Sequence, residues 1–199
     1  MKKLVKWFFN VFMCHILYRV KFINIENVRK FNKCLICPNH SCKFDSNWIY
    51  AKTDDIYIMA KAELFENKIN AKILRYFNVF PIKRGEHDTA SILHAINIFK
   101  NVDKRKLLIF PEGEKVRKNE KRGIAKVGPV YIASKTSVPI IPVYLTKNPR
   151  LFSKVYVVFG EPIYYDKDIA KDKNKLKEET FKLLDTIYDL KNKVNKKDR

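Results

Sequence analysis

Acidic residues are scarce in this sequence: 21 Asp and Glu stand against 41 Lys and Arg in 199 residues, a formal net charge of +20. That balance turns the chain away from cationic partners and toward nucleic acid, an anionic bilayer surface or phosphorylated small molecules. No long apolar run is present either. The stretch free of Lys, Arg, Asp and Glu near the N-terminus, Trp7 to Tyr18, has 12 residues, about 18 Å as helix against a hydrocarbon core of about 30 Å. It is too short to span comfortably. Stretched from Leu4 to Val20, with Lys6 and Arg19 snorkelling, it reaches about 26 Å, a marginal span. A small-residue cleavage site is missing, so the segment does not read as a signal peptide.

The four cysteines, Cys14, Cys34, Cys37 and Cys42, crowd into the first quarter with no partners further on. Such a layout excludes a disulfide framework and points to a reducing cytoplasm. "CLIC" has the spacing of a metal knuckle, but Leu35 and Ile36 replace turn residues, and no second CxxC exists. In a strand Cys34 and Cys37 would face opposite ways, which favours ordinary half-buried thiols over zinc. Also missing are a Gly-x-Ser-x-Gly elbow, a P-loop and an RNP-like aromatic strand, so nucleic acid is not an expected partner. Without a Gly/Ser/Pro linker or an internal repeat, residues 23–199 read as one domain behind an arm of residues 1–22.

What is present is enough apolar material for a core, 46% hydrophobic and 13% aromatic. The arm reads as a helix lying in a membrane interface. Trp7, Phe8, Phe9 and Phe12 would sit in the lipid boundary, and Lys2, Lys3, Lys6, Arg19 and Lys21 on anionic headgroups. A buried first helix of a soluble protein is the alternative. Beyond the arm, "CLIC" (34–37), "IYIMA" (56–60), "VFPI" (79–82), "KLLIF" (106–110), "PIIPVYL" (139–145) and "VYVVFG" (155–160) read as strands. Helical spacing appears in 62–77 through Phe65, Ile69, Ile73 and Phe77. It returns in 88–102 through Ile92, Leu93, Ile96 and Phe99, with Asp88 or Thr89 as N-cap. The tail from Asp166 carries Leu176, Leu183, Leu184, Ile187, Tyr188 and Val194 at helical spacing, a C-terminal amphipathic helix docked by one face. The alternation predicts an α/β fold with a mostly parallel sheet flanked by helices.

In such sheets ligands collect at the carboxyl ends of strands. Each expected strand end carries a polar cluster: "PNHSCKFD", then "KAELF", then "KRG", then "PEGE". Brought to one edge, these supply an imidazole with a carboxylate (His40, Asp45), cations for a phosphate (Lys61, Lys83, Arg84) and Glu112 beside Gly113, whose bare backbone admits a ligand.

The blocks "NHSCKFD", "AKAELF", "FPIKRG", "FPEG", "KVGPVYIA", "VPIIPV" and "FGEPI", in order from about residue 34 to 163, resemble the glycerolipid acyltransferase family. The resemblance implies that His40 and Asp45 are catalytic and that Arg84, Glu112 and Gly113 serve a glycerol phosphate. It further implies transfer of a fatty acyl group to the free hydroxyl of lysophosphatidic acid on the cytoplasmic face of the cell membrane, by a peripheral or monotopic protein. The donor would be acyl carrier protein or acyl-CoA, a co-substrate, with no cofactor or metal. Here the third block reads "FPEGEKVRKNEKRG", with Glu114 and Lys115 where the family usually has Thr and Arg. Either Lys115 binds the phosphate without a guanidinium's fork, or Arg117 has taken the role, or the acceptor differs. A second lyso-lipid or glycerol phosphate is the nearest alternative acceptor. A non-enzymatic basic module that binds membranes or nucleic acid is the alternative of another class.

The chemistry needed is attack of an alcohol on a thioester, which requires a base to take the proton. Neutral His40 suits that work, and Asp45, one helical turn on, would fix its tautomer, as in a serine hydrolase triad whose serine is replaced by the substrate's hydroxyl. Ser41 or Cys42 as an acyl carrier is a lesser route. Backbone amides at the start of the following helix are candidates for holding the oxyanion.

Overall fold

The computed structural model describes residues 2–83, 89–116, 120 and 122–194, with the side chains of Lys2, Lys3, Val5 and Phe9 left aside. Arg84, Asp88 and Arg117, singled out above, lie outside the described residues.

Seven strands are described: β1 (Arg19–Ile23), β2 (Lys33–Pro38), β3 (Ile56–Lys61), β4 (Val79–Ile82), β5 (Arg105–Leu108), β6 (Ile140–Leu145) and β7 (Lys154–Phe159). They form one sheet in the order β1-β7-β6-β2-β5-β3-β4. Five of its six neighbour pairings are parallel, and only β6 and β7 run antiparallel. The α/β architecture expected from the sequence is present. β1 is an addition, and it moves the boundary drawn at residue 22. Its residues register from Arg19 opposite Lys154 to Ile23 opposite Val158, so the sheet begins inside the expected arm.

β2 sits mid-sheet and is buried on both faces. Its side chains alternate: Cys34 and Ile36 enter one core cluster, Leu35 and Cys37 the other. The two cysteines of "CLIC" therefore face opposite ways. Among the described residues no group of three His, Cys, Asp or Glu is placed to hold a metal.

Helices cover both faces. On the Cys34 face lie α1 (Lys2–Val11), which runs on as a π-helical turn through Ile16, the short α2 (Glu26–Arg29), α3 (Asp45–Lys52) and α4 (Lys68–Tyr76). Met13, Cys14 and Tyr18 at the far end of the arm are core residues, and Tyr18 meets Trp48 of α3 edge to face at 5.3 Å between centroids. The near end is fixed by Lys6, whose ammonium donates to the Thr53 carbonyl at 2.8 Å and to the Asp54 carboxylate. On the Cys37 face lie α5 (Thr89–Asn97), α6 (Gly128–Thr136) and α7 (Lys173–Asp189). α6 carries Pro129 in its first turn, where a fixed φ is suited. The Asp172 carboxylate caps α7 by accepting from the amides of Asn174 and Lys175, and Leu176, Leu183 and Ile187 dock it.

One periodic stripe is not a core stripe. Phe65 and Phe77 pack on the Cys34 face, but Ile69 and Ile73 are 71% and 50% exposed. The helix turns Ala71 and Leu74 inward instead, which leaves Ile69, Ile73 and Tyr76 outside at i, i+4, i+7. No helix among the described residues is long and apolar enough to cross a membrane.

A tight seam joins Gly160, just past β7, to Pro142 of β6. A methyl at Gly160 would stand 2.8 Å from the proline ring and 3.1 Å from Leu190. Gly160→Ala should therefore lower stability by about 1–3 kcal/mol, read from the urea midpoint.

Candidate functional site

The chain after β2 is held from below before any reactive group appears. Asn39 is fully buried, and its amide brackets Leu145 at the end of β6: Nδ2 donates to the Leu145 carbonyl at 3.1 Å, and Oδ1 accepts its N–H at 2.7 Å. That pair takes the place of ladder bonds where β2 leaves the sheet. His40 comes next. Its backbone N–H donates to Glu112 Oε2 at 2.7 Å, its carbonyl accepts from the Val116 amide at 2.8 Å, and its ring stacks on Phe110 at 4.0 Å.

Asp45 opens α3 and is fully buried. Its Oδ2 lies 3.0 Å from His40 Nδ1 and accepts the amides of Ser41 and Cys42 at 2.7 and 2.8 Å. A carboxylate only accepts, so Nδ1 carries the proton and Nε2 is left as the ring's basic nitrogen. The same bonds commit the Ser41 and Cys42 amides, in the turn before α3, to Asp45. Burial pushes the Cys42 thiol above its ordinary value, and the Asp45 charge adds to this, while a Phe44 amide contact and the Lys115 and Lys43 charges oppose it. A protonated thiol is a poor acyl carrier. Ser41 Oγ accepts the Asn148 amide at 3.2 Å.

The sequence reading places Glu112 on the substrate. Its carboxylate is instead sunk beneath the loop, with 1% of the residue exposed. Besides His40, it accepts from the Gly123 amide at 2.8 Å and the Tyr188 hydroxyl at 2.6 Å, both on Oε1. Gly123 has no room for a side chain, since a Cβ would stand 3.0 Å from that of Glu112. Burial, then the bond to Glu112, raises the Tyr188 phenol well above its ordinary value, so it donates at every physiological pH. Tyr188 reaches the site from α7, 76 residues from Glu112, and the sequence offered only its place in a helical stripe.

Gly113 turns the chain at φ +71, a left-handed value that a side chain disfavours. Lys115 is exposed beyond it, close enough for its charge to act on Cys42. Lys61 ends β3 at the same sheet edge, half-buried, and its ammonium makes no hydrogen bond or ion pair among the described residues. His40, Asp45, Glu112 and Gly113 are thus brought together, with Lys61 and Lys115 along the same edge. Arg84 lies outside the described residues.

A family profile described as Acyltransferase matches residues 19–146. A Streptococcus pneumoniae (strain ATCC BAA-255 / R6) protein described as 1-acyl-sn-glycerol-3-phosphate acyltransferase is 34% identical over 117 residues, 56% of this chain and 42% of that one. A Bacillus subtilis (strain 168) protein with the same description is 28% identical over 190 residues, 88% of this chain and 90% of that one. The crystal structure of the 1-acyl-sn-glycerophosphate (LPA) acyltransferase, PlsC, from Thermotoga maritima superposes with a TM-score of 0.70. The likeness covers 96% of this chain and 79% of that one at 23% identity, and it speaks for the fold.

The bonds to Glu112 lead to a graded expectation. Tyr188→Phe removes one donor and should cost about 1 kcal/mol, whereas Glu112→Ala strands three donors and should cost about 3 kcal/mol or more. Urea denaturation measures both. Hydrogen exchange at the His40 amide should accelerate far more in Glu112→Ala than in Tyr188→Phe.

Proposed function

The chain belongs to the acyltransferase family, and from that premise we propose that it transfers a fatty acyl group from a thioester to the free hydroxyl of 1-acylglycerol 3-phosphate, giving phosphatidic acid. The observation that carries this reading is the pair His40 and Asp45, 3.0 Å apart, with Nε2 of the ring left basic. Nε2 takes the proton of the acceptor hydroxyl as that oxygen attacks the thioester carbonyl. Asp45 steadies the imidazolium that forms. On collapse the carbon–sulfur bond breaks and the imidazolium returns the proton to the departing thiolate. Phe110 beneath the ring limits its tilt and keeps one side of it dry. The donor is the thioester of acyl carrier protein or coenzyme A.

The phosphate of the acceptor meets cations along this edge: Lys61 and Lys115, with Arg84 assigned by its sequence block. Glu112 serves the reaction indirectly, by fixing the backbone of His40. Gly113 gives the turn after β5 a bare backbone.

We further propose that α1 works as a membrane-interface helix. Trp7 and Phe8 are 62% and 56% exposed, and Phe12 and Ile16 continue the outward line toward the site. The exposed Ile69, Ile73 and Tyr76 of α4, on the same face of the sheet and flanked by Lys68, Lys72 and Arg75, add a second apolar patch with a basic border. This arrangement supports placement at the cytoplasmic face of the cell membrane, where lysophosphatidic acid and its product reside.

Purified protein given acyl carrier protein and coenzyme A thioesters with a panel of lyso-acceptors, products read by mass, tests the reading directly. His40→Ala should abolish transfer and keep the urea midpoint, and Asp45→Asn should lower kcat about a hundredfold or more with little change in KM. An active His40→Ala protein would contradict the mechanism. Removing the whole arm would also strip Met13, Cys14 and Tyr18 from the core, so the membrane reading is checked by Trp7→Ser with Phe8→Ser. The doubly substituted protein should stay folded, leave the membrane fraction, and lose activity on long-chain acceptors in bilayers more than on short dispersed ones.

A further inference from the structure

The edge of the sheet opposite His40 holds a cavity of ≈ 270 Å³ lined by Val28, Arg29, Lys52, Thr53, Asp54 and Lys106. These residues stand at the starts of β2, β3 and β5, so the length of β2, about 20 Å, separates them from His40. Lys106 is the unusual member. Register sets it opposite Cys34 and Ile56, and alternation with Leu107 turns its side chain to the same face as α2 and α3. Only 8% of the residue is exposed, and its ammonium makes no hydrogen bond or ion pair among the described residues. Burying an ammonium without a counter-charge is costly.

The lining holds more cations than carboxylates. Arg29 and Lys52 add two more positive charges, and neither has an ion-pair partner among the described residues. Asp54 is the one carboxylate, and it already accepts from Lys6. That bond, with the charges of Lys106 and Arg29, holds its carboxyl below the ordinary range. Thr53 Oγ1 is buried and has no partner in the described residues. Three cations and an unused hydroxyl around one small cavity match an anion with several acceptor oxygens arranged tetrahedrally: the ammonium acts as a point charge, the guanidinium as a fork.

We infer that this cavity is a phosphate-group site, distinct from the His40–Asp45 site and independent of the acyl-transfer reading. Its ligand is a phosphomonoester dianion. Because α1 closes over this edge through Lys6, that dianion is carried either by a lipid headgroup or by a free molecule.

The test uses the full chain and inorganic phosphate, titrated at constant ionic strength against chloride, with thermal unfolding as the readout. The wild-type Tm should rise and saturate. Lys106→Met should have a higher Tm than wild type in chloride alone, because a buried charge is gone from a lining in which cations outnumber carboxylates, and its apparent phosphate affinity should fall about tenfold or more. Arg29→Gln, an exposed position that leaves the core untouched, should show the same loss of affinity, and Lys177→Gln, exposed on α7, should not. A wild-type Tm indifferent to phosphate, or a phosphate-induced rise that survives intact in both Lys106→Met and Arg29→Gln, would overturn the site. Flotation with phosphatidylcholine vesicles, plain or doped with phosphatidic acid, sorts the source. Loss of the doped-vesicle preference in Arg29→Gln assigns the site to a lipid headgroup. A preference retained while the phosphate response is lost assigns it to a free phosphomonoester.

Discussion

A single buried carboxylate, that of Glu112, sets where His40 can be. β2 and β5 are neighbours in the sheet, and each sends a short loop over the same edge. Left alone, two such loops would wander. Glu112 ties them by taking the His40 amide on one oxygen, and it anchors the tie by taking Gly123 and Tyr188 on the other. A carboxylate this deep is tolerable only because each oxygen is hydrogen-bonded, and charge-assisted bonds of this kind are the strong ones. The constraint spreads outward from there. Gly123 must lack a Cβ, α7 must dock so that Tyr188 reaches in, and Val116 must return to the His40 carbonyl.

Two carboxylates divide the work on one histidine. Glu112 holds the backbone and Asp45 holds the ring, so position and orientation are fixed by separate groups on separate elements. Asp45 gains from its place at the start of α3, where the helix favours negative charge. It also gathers the Ser41 and Cys42 amides, so the turn between His40 and α3 closes around the same oxygen that meets the imidazole. Motion of the ring is thereby coupled to unwinding of that turn, which a free surface pair would not require.

Most strands were legible because each is a short apolar run bounded by polar turns. β1 was not: "RVKFI" alternates over only five residues at an edge, and its basic positions blended with the arm. The spacing in 62–77 marked a helix, α4, but not the face it buries, since periodicity gives a stripe without saying what covers it. His40 and Asp45 stand five positions apart, a local pairing, and the resemblance of the surrounding blocks to the family, more than the spacing, singled them out. The part played by Glu112 could not, because its donors come from Gly123 and from Tyr188, and chain-distant pairing leaves no local pattern. The same holds for Asn39, whose buried amide matters only once β6 lies beside β2.

The parallel pairing of β1 with β7 at the edge of the sheet bears on the order of events during synthesis. β1 leaves the ribosome before the other six described strands, yet its ladder partner among the described residues, β7, begins at Lys154. Until that stretch emerges, the edge cannot form, and contacts of such sequence separation are intrinsically late. Throughout that interval the first helix has α3 to lean on but no finished sheet edge behind it. Its aromatic residues therefore meet their surroundings while β7 is still to be made, and that strand, the last of those described, closes the edge beside a helix that already has α3 to pack on.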